Sequence, residues 1–191
     1  MSTAIAAFIT GHSVRGCTGL SRDQRDFQSR SWLPSDMWLP HNFPYHPSFP
    51  FPGKFSLATA SFNNIRHYLG SRRPAFRQRH REEVARRFSK HERVILLAGS
   101  CGLELLNNLD LPPGILGRIH VFAYGPVSRQ LPATASHCLV QGRGDFISRF
   151  FHPRPDHRIV SSHMGYLRAP ETLHLFDDYC RRILGQPPGS P

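Results

Sequence analysis

Ser100, Asp145 and His163 are the residues whose types and positions suit joint chemistry in this chain. Ser100 lies within Val94-Ile95-Leu96-Leu97-Ala98-Gly99-Ser100-Cys101-Gly102-Leu103-Glu104-Leu105, flanked by small residues at 98, 99 and 102. A buried strand that turns abruptly into a helix holds its apex residue in strained geometry and brings the residues two before and two after it close together. Ala98-x-Ser100-x-Gly102 meets that demand. Serine is a poor nucleophile at its own pKa, so it needs a base such as His163 to take its proton, and an acid such as Asp145 to orient and stabilise the imidazolium. The chemistry of such a set is acyl transfer through a covalent intermediate.

These three residues need elements to bring them together. Ala4 to Thr10 is a short apolar run that ends in Gly11-His12-Ser13, which reads as a buried strand entering a loop. Asp23 to Ser29 suits a short helix. From Trp32 to Phe55 six prolines and seven aromatic residues alternate, a composition that excludes a long helix or a central strand. One short strand is expected there, at Met37 to Leu39. The rings of this segment either pack it onto the core through Trp32, Trp38 and Phe43, or line a substrate pocket, for which Trp38, Phe43, Tyr45 and Met164 are the candidates. Ser56 to Ser89 predicts two helices split near Gly70 to Pro74.

Arg93 to Ala98 is continuously apolar beyond its first residue, as in a parallel strand buried on both faces. Leu103 to Leu109 follows as a helix that Pro112-Pro113-Gly114 stops. Further strands are expected at Ile119 to Ala123, at His137 to Gln141 and at Ile159 to Ser162, before an amphipathic helix over Pro170 to Leu184. Strand and helix alternate, so the fold class is α/β, a mostly parallel central sheet with helices on both faces. In such sheets ligands bind beyond the C-terminal strand ends, and Ser100, Asp145 and His163 each follow a strand.

The turn at Ser100 resembles the nucleophile elbow of the α/β-hydrolase family, in an Ala-x-Ser-x-Gly variant. The order that follows, Gly142-Arg143-Gly144-Asp145 and then His163-Met164-Gly165-Tyr166, is similar to that family's sequence of nucleophile, acid and histidine. The resemblance spans about residues 4–184 and carries motifs from Val94 to Tyr166. It implies a small, lid-poor serine esterase or thioesterase with fewer strands; the length of 191 residues fits one domain, over residues 1–185, with 186–191 as a flexible tail. It also implies an oxyanion hole from the backbone N–H of Cys101 and of His12 or Ser13. Alanine in place of the first elbow glycine departs from the pattern, as does the long proline-rich excursion.

Each residue also has a plainer role. Ser100 suits a helix N-cap, Asp145 a turn, and His163 is one of 12 histidines. Cys101 is a rival nucleophile, although Leu103 then replaces the closing glycine; Asp156, Asp177 and Asp178 are rival acids. His41, His46, His152 and His157 form no recognisable ligand set with carboxylates, so neither metal nor cofactor is expected. The partner implied is a small-molecule acyl substrate.

The formal net charge of +11 raises a second reading. A non-catalytic protein of this fold would bind nucleic acid or an acidic partner through the basic helix around Arg72 to Arg93, gaining affinity by counterion release. The same charge run suits the solvated face of a helix covering a sheet. No run approaches the roughly 20 apolar residues of a membrane span. The first nine residues lack the basic start and long apolar stretch of a signal peptide, and Cys17, Cys101, Cys138 and Cys180 show no pairing motif. A cytoplasmic location is the expectation.

Overall fold

The computed structural model describes residues 4–52 and 56–186. Five strands, β1 (Ala4–Thr10), β2 (Arg93–Gly99), β3 (Ile119–Tyr124), β4 (Ser136–Gly142) and β5 (His157–Ile159), form an all-parallel sheet whose spatial order is their chain order. Seven helices accompany them among the described residues: α1 (Arg22–Arg30), α2 (Leu57–Ser71), α3 (Pro74–Phe88), α4 (Gly102–Leu109), α5 (Pro113–Leu116), α6 (Phe146–Phe151) and α7 (Pro170–Leu184).

Alternation along the strands sorts side chains into two cores, because successive residues of a strand face opposite sides of the sheet. Ile5, Ala7 and Ile9 of β1 and Val94, Leu96 and Ala98 of β2 meet Phe76, Val84 and Phe88 of α3 and the leucines of α4. Ala6, Phe8, Ile95, Leu97 and Phe122 face the other way, onto Phe27 of α1 and Phe176 and Tyr179 of α7. Helices therefore cover both faces. The unbroken apolar runs of β1 and β2 are what two-sided burial requires.

The helix limits follow local chemistry. Ser21 caps α1 through a reciprocal capping box with Gln24. Pro74 opens α3 at its first turn, where a missing N–H costs nothing. Gly185, at φ 70°, ends α7 in the left-handed region.

Three details differ from the sequence reading. Met37 to Leu39 is not a strand: Ser35–Met37 is a 3-10 turn, and the backbone of the segment joins the sheet through one bridge from Trp38 to Ala6 and the Leu39 N–H on the Ala6 carbonyl. The last strand is His157–Ile159, since β4 ends its ladder at Gly142, opposite Ile159. Beyond it the chain pairs with a turn instead, the Gly144 N–H donating to the Ser161 carbonyl at 3.1 Å. The helix α6 was not anticipated, because its apolar residues face outward and show no core-facing period. The tail expected at 186–191 falls, apart from Gln186, outside the described residues.

Candidate functional site

Register fixes where the site forms. Thr10, Gly99 and Tyr124 lie abreast at the C-terminal ends of β1, β2 and β3, and Gly142 and Ile159 close the same edge. Ser100 is the first residue beyond β2 and Asp145 stands three beyond β4.

Ser100 has φ 50°, a left-handed conformation that costs a non-glycine residue about 1–3 kcal/mol and persists only where its surroundings over-determine it. Two backbone bonds hold it: its N–H donates to the Tyr124 carbonyl at 3.3 Å, and its carbonyl accepts from Val127 at 2.8 Å. Gly102 is the tight point of the turn, where a Cβ would overlap the Ile9 carbonyl oxygen of the neighbouring strand. That absent side chain also leaves room for the methyl group of Ala98, which explains why alanine is accepted at the first elbow position.

The three residues meet. His163 Nε2 lies 3.1 Å from Ser100 Oγ, and His163 Nδ1 lies 2.9 Å from Asp145 Oδ2. A carboxylate only accepts, so Asp145 fixes the proton on Nδ1 and leaves Nε2 to receive the serine hydroxyl. Asp145 is 1% exposed. Burial opposes its ionisation, but donation from His163, from the Ser148 N–H and from the Tyr166 hydroxyl outweighs it and holds the carboxyl below its ordinary value. Its two oxygens divide the work: Oδ1 caps α6 by accepting from Ser148 at 3.0 Å, and Oδ2 serves His163.

Tyr166 is a participant the sequence reading missed. Its hydroxyl donates to Asp145 Oδ2 at 2.7 Å and accepts from the Gly142 N–H at 2.6 Å. Gly125, at φ 54°, makes room, since a Cβ there would stand 2.6 Å from the Tyr166 ring and 2.9 Å from Asp145 Oδ2. A tyrosine three residues after the histidine carries no general signal.

The loop after β1 reaches the elbow as expected, with Gly11 packed against the Cys101 thiol. Its members stand differently toward an oxyanion. Among the described residues the Cys101 N–H, at the N-terminus of α4, reaches no acceptor beyond its own thiol, and the Ser13 N–H has no protein acceptor. The His12 N–H instead donates to His67 Nδ1 at 3.3 Å, and its ring donates to the Phe43 carbonyl at 2.6 Å. His12 thus braces the loop in this conformation, and its own N–H is taken. Asn63 and His67, both on α2, hold the loop from below. Burial pushes the Cys101 thiol up to about 12, only partly offset by backbone N–H contacts, which disfavours it as a nucleophile.

The rival acids are engaged elsewhere. Asp156 accepts from the Leu139 N–H, Asp177 from Ser31 and Trp32, and Asp178 lies beside His174 and Arg181. The proposed pocket rings do not converge. Trp38 stacks on Phe8 in one core, while Phe43 and Tyr45 are buried in the other against Phe76 and Phe88. Of that set only Met164, beside His163, is exposed. Cavities of about 490 Å³, at Ile159 and His174, and about 240 Å³, at Arg72 and Asp110, have none of Ser100, Asp145 and His163 in their walls. On α3, Arg77 and Arg81 face Asp110 and Arg87 faces Glu83, which spends part of the charge run locally. Among the described residues no cluster of three or more histidine, cysteine or acidic side chains is placed to hold a metal ion, and no helix is long and apolar enough to cross a membrane.

The class defined by these observations is an α/β protein with a serine, histidine and aspartate in hydrogen-bonded series at the C-terminal edge of a parallel sheet. No protein-family model matches the chain, and no curated protein matches it.

Proposed function

We propose that the chain is a small serine hydrolase of the α/β-hydrolase type, cleaving a carboxylic ester or thioester through an acyl-enzyme. The observation that carries this reading is the series Ser100 Oγ, His163 Nε2, His163 Nδ1, Asp145 Oδ2, with steps of 3.1 and 2.9 Å, built on a serine held at φ 50°.

Ser100 Oγ attacks the acyl carbon as its proton passes to His163 Nε2. Negative charge then gathers on the former carbonyl oxygen, where the N–H of Cys101 receives it with the Ser13 N–H as the second donor; preorganised donors of this kind are worth about 3–4 kcal/mol each. Collapse breaks the bond to the alcohol or thiol, which leaves with the proton from His163. Water, deprotonated by the same nitrogen, then releases the acid and restores Ser100. Asp145 stays ionised and stabilises the imidazolium. The four cysteines are free and buried, which supports a cytoplasmic location.

Labelling with a fluorophosphonate tests the reading. Adduct formation on the wild type and on Cys101→Ala, lost in Ser100→Ala and His163→Ala, is expected. A folded wild type that takes no label overturns it and returns attention to the basic surface of α3.

A further inference from the structure

The exposed apolar surface is unevenly distributed. Phe62, Ile65 and Leu69 recur at three- and four-residue spacing along α2 and are all more than half exposed, while Asn63 and His67 of the same helix turn inward onto the loop beside Ser100. Phe146, Ile147 and Phe150 occupy α6, the helix that begins directly after Asp145, with Phe150 at 85% and Phe146 at 74% exposure. The two helices touch through Tyr68 and Phe151, whose ring centroids are 6.4 Å apart. Six large apolar side chains therefore face water on two helices that meet beside Ser100 and Asp145, and this much apolar surface left in water on one side of the molecule marks a binding face.

The charges around this face have one sign. The sequences of α2 and α6 contain no acidic residue, and neither does the segment from Val160 to Ala169 that carries His163. Arg66 lies over the Phe62 ring at 5.8 Å and Arg149 over Phe146 at 5.5 Å, while Arg143 stands exposed in the turn that bears Asp145. The nearby acids, Asp145 and Glu104, are buried and engaged. Phenylalanines that project outward beside arginines able to reach the headgroup level match the chemistry of an anionic bilayer surface, with an apolar interior beneath negative charge. Nucleic acid would use the cations but gain nothing from burying Ile65, Leu69 and Ile147.

We infer that α2 and α6 form a docking face for an anionic lipid surface, from which Ser100 takes an acyl ester. The choice of substrate rests on the hydrolase reading; the docking face does not.

Co-sedimentation of the Ser100→Ala protein with vesicles tests it. Binding to equimolar phosphatidylcholine and phosphatidylglycerol is expected, and none to phosphatidylcholine alone. Phe146→Ser with Phe150→Ser should weaken binding at least tenfold, and the charge reversals Arg66→Glu and Arg149→Glu by more than about fivefold each. Both phenylalanines are exposed, so circular dichroism and melting should not change. No binding to the mixed vesicles, or binding that ignores all four substitutions, overturns the inference. So does a dimer in solution that Phe146→Ser and Phe150→Ser dissolve without vesicle binding, which would assign the face to a second copy of the chain. Docking without phosphonate labelling of the wild type would sink the hydrolase reading and spare the face; labelling without docking would do the reverse.

Discussion

Replacing Tyr166 with phenylalanine removes one oxygen atom and keeps the ring, which packs beside Tyr124 with 5.8 Å between centroids. The residue is 2% exposed, so the hydroxyl's two bonds are not exchanged for bonds to water. Losing donation to the Asp145 carboxylate costs about 1.5–3 kcal/mol, and stranding the Gly142 N–H costs about 1–3 kcal/mol more. Neighbouring losses do not add in full, so a net destabilisation of about 2–4 kcal/mol is expected. For a chain of this length that lowers the melting temperature by about 5–15 °C. The sign of the pH dependence follows from Asp145, whose folded carboxyl is held below 3.8. Its stabilising contribution is complete above that value and is lost as pH falls through the folded pKa, so the gap between wild type and variant narrows in acid. Catalysis should suffer less than stability, because Asp145 keeps His163 and Ser148. Phosphonate labelling is expected to slow less than tenfold in Tyr166→Phe but on the order of 10⁴-fold in Asp145→Asn, which presents the wrong partner to Nδ1. Melting within 1 °C of wild type by scanning calorimetry, a margin well inside the roughly 5 °C lower bound, would refute the reasoning. Labelling as slow as that of Asp145→Asn would show that His163 depends on Tyr166 to position Asp145.

Gly102→Ala forces a Cβ into the Ile9 carbonyl and should cost about 3 kcal/mol or more in urea unfolding, whereas Ala98→Gly should fold and label normally; equal stability of the two would discount the elbow packing. The Cys101 thiol, pushed up to about 12, should resist iodoacetamide at pH 8 until denaturant is added, and rapid alkylation of the native protein would contradict its burial. Burial holds His67 down at about 3, with His12 and His80 beside it acting the same way, and holds His80 at about 4, where Arg79 adds to it. The unfolded chain then binds more protons as pH falls below 6.5, and stability should decline by up to about 1.4 kcal/mol per pH unit for each histidine. Urea midpoints measured from pH 7.5 to 5 should fall, and fall less steeply in His67→Gln; a flat or rising profile would exclude this.

The parts of the fold legible in the sequence are those whose signal is local. The strand at Arg93 is apolar because both its faces are covered, and α7 shows a helical apolar period because one of its faces is; Pro74 and Gly185 mark their helix ends through backbone chemistry that needs no partner. Ser100 was legible because a strained turn dictates the size of its neighbours. The strand at Met37 failed because proline-flanked aromatics can be buried without joining a ladder, as Trp38 is with a single bridge. Tyr166, Gly125 and the brace from α2 were illegible because each acts across the fold: His12 meets His67 over 55 residues of chain, and Gly142 meets Tyr166 over 24.

At Asp145 a plain structural role and a chemical one coincide. A turn or cap residue and the acid of the proposed triad are not alternatives at this position, because the carboxylate has two oxygens and the backbone uses one. Capping α6 through Oδ1 fixes the side-chain rotamer, and that rotamer points Oδ2 at His163 and Tyr166. The cap is thus the means by which the acid is aimed, and a site built this way draws its geometry from the start of a helix rather than from a loop. The same helix carries Phe146 and Phe150 outward. The element that aims the acid therefore also presents the proposed docking face, so any displacement of α6 on binding would be felt at the Asp145 to His163 hydrogen bond.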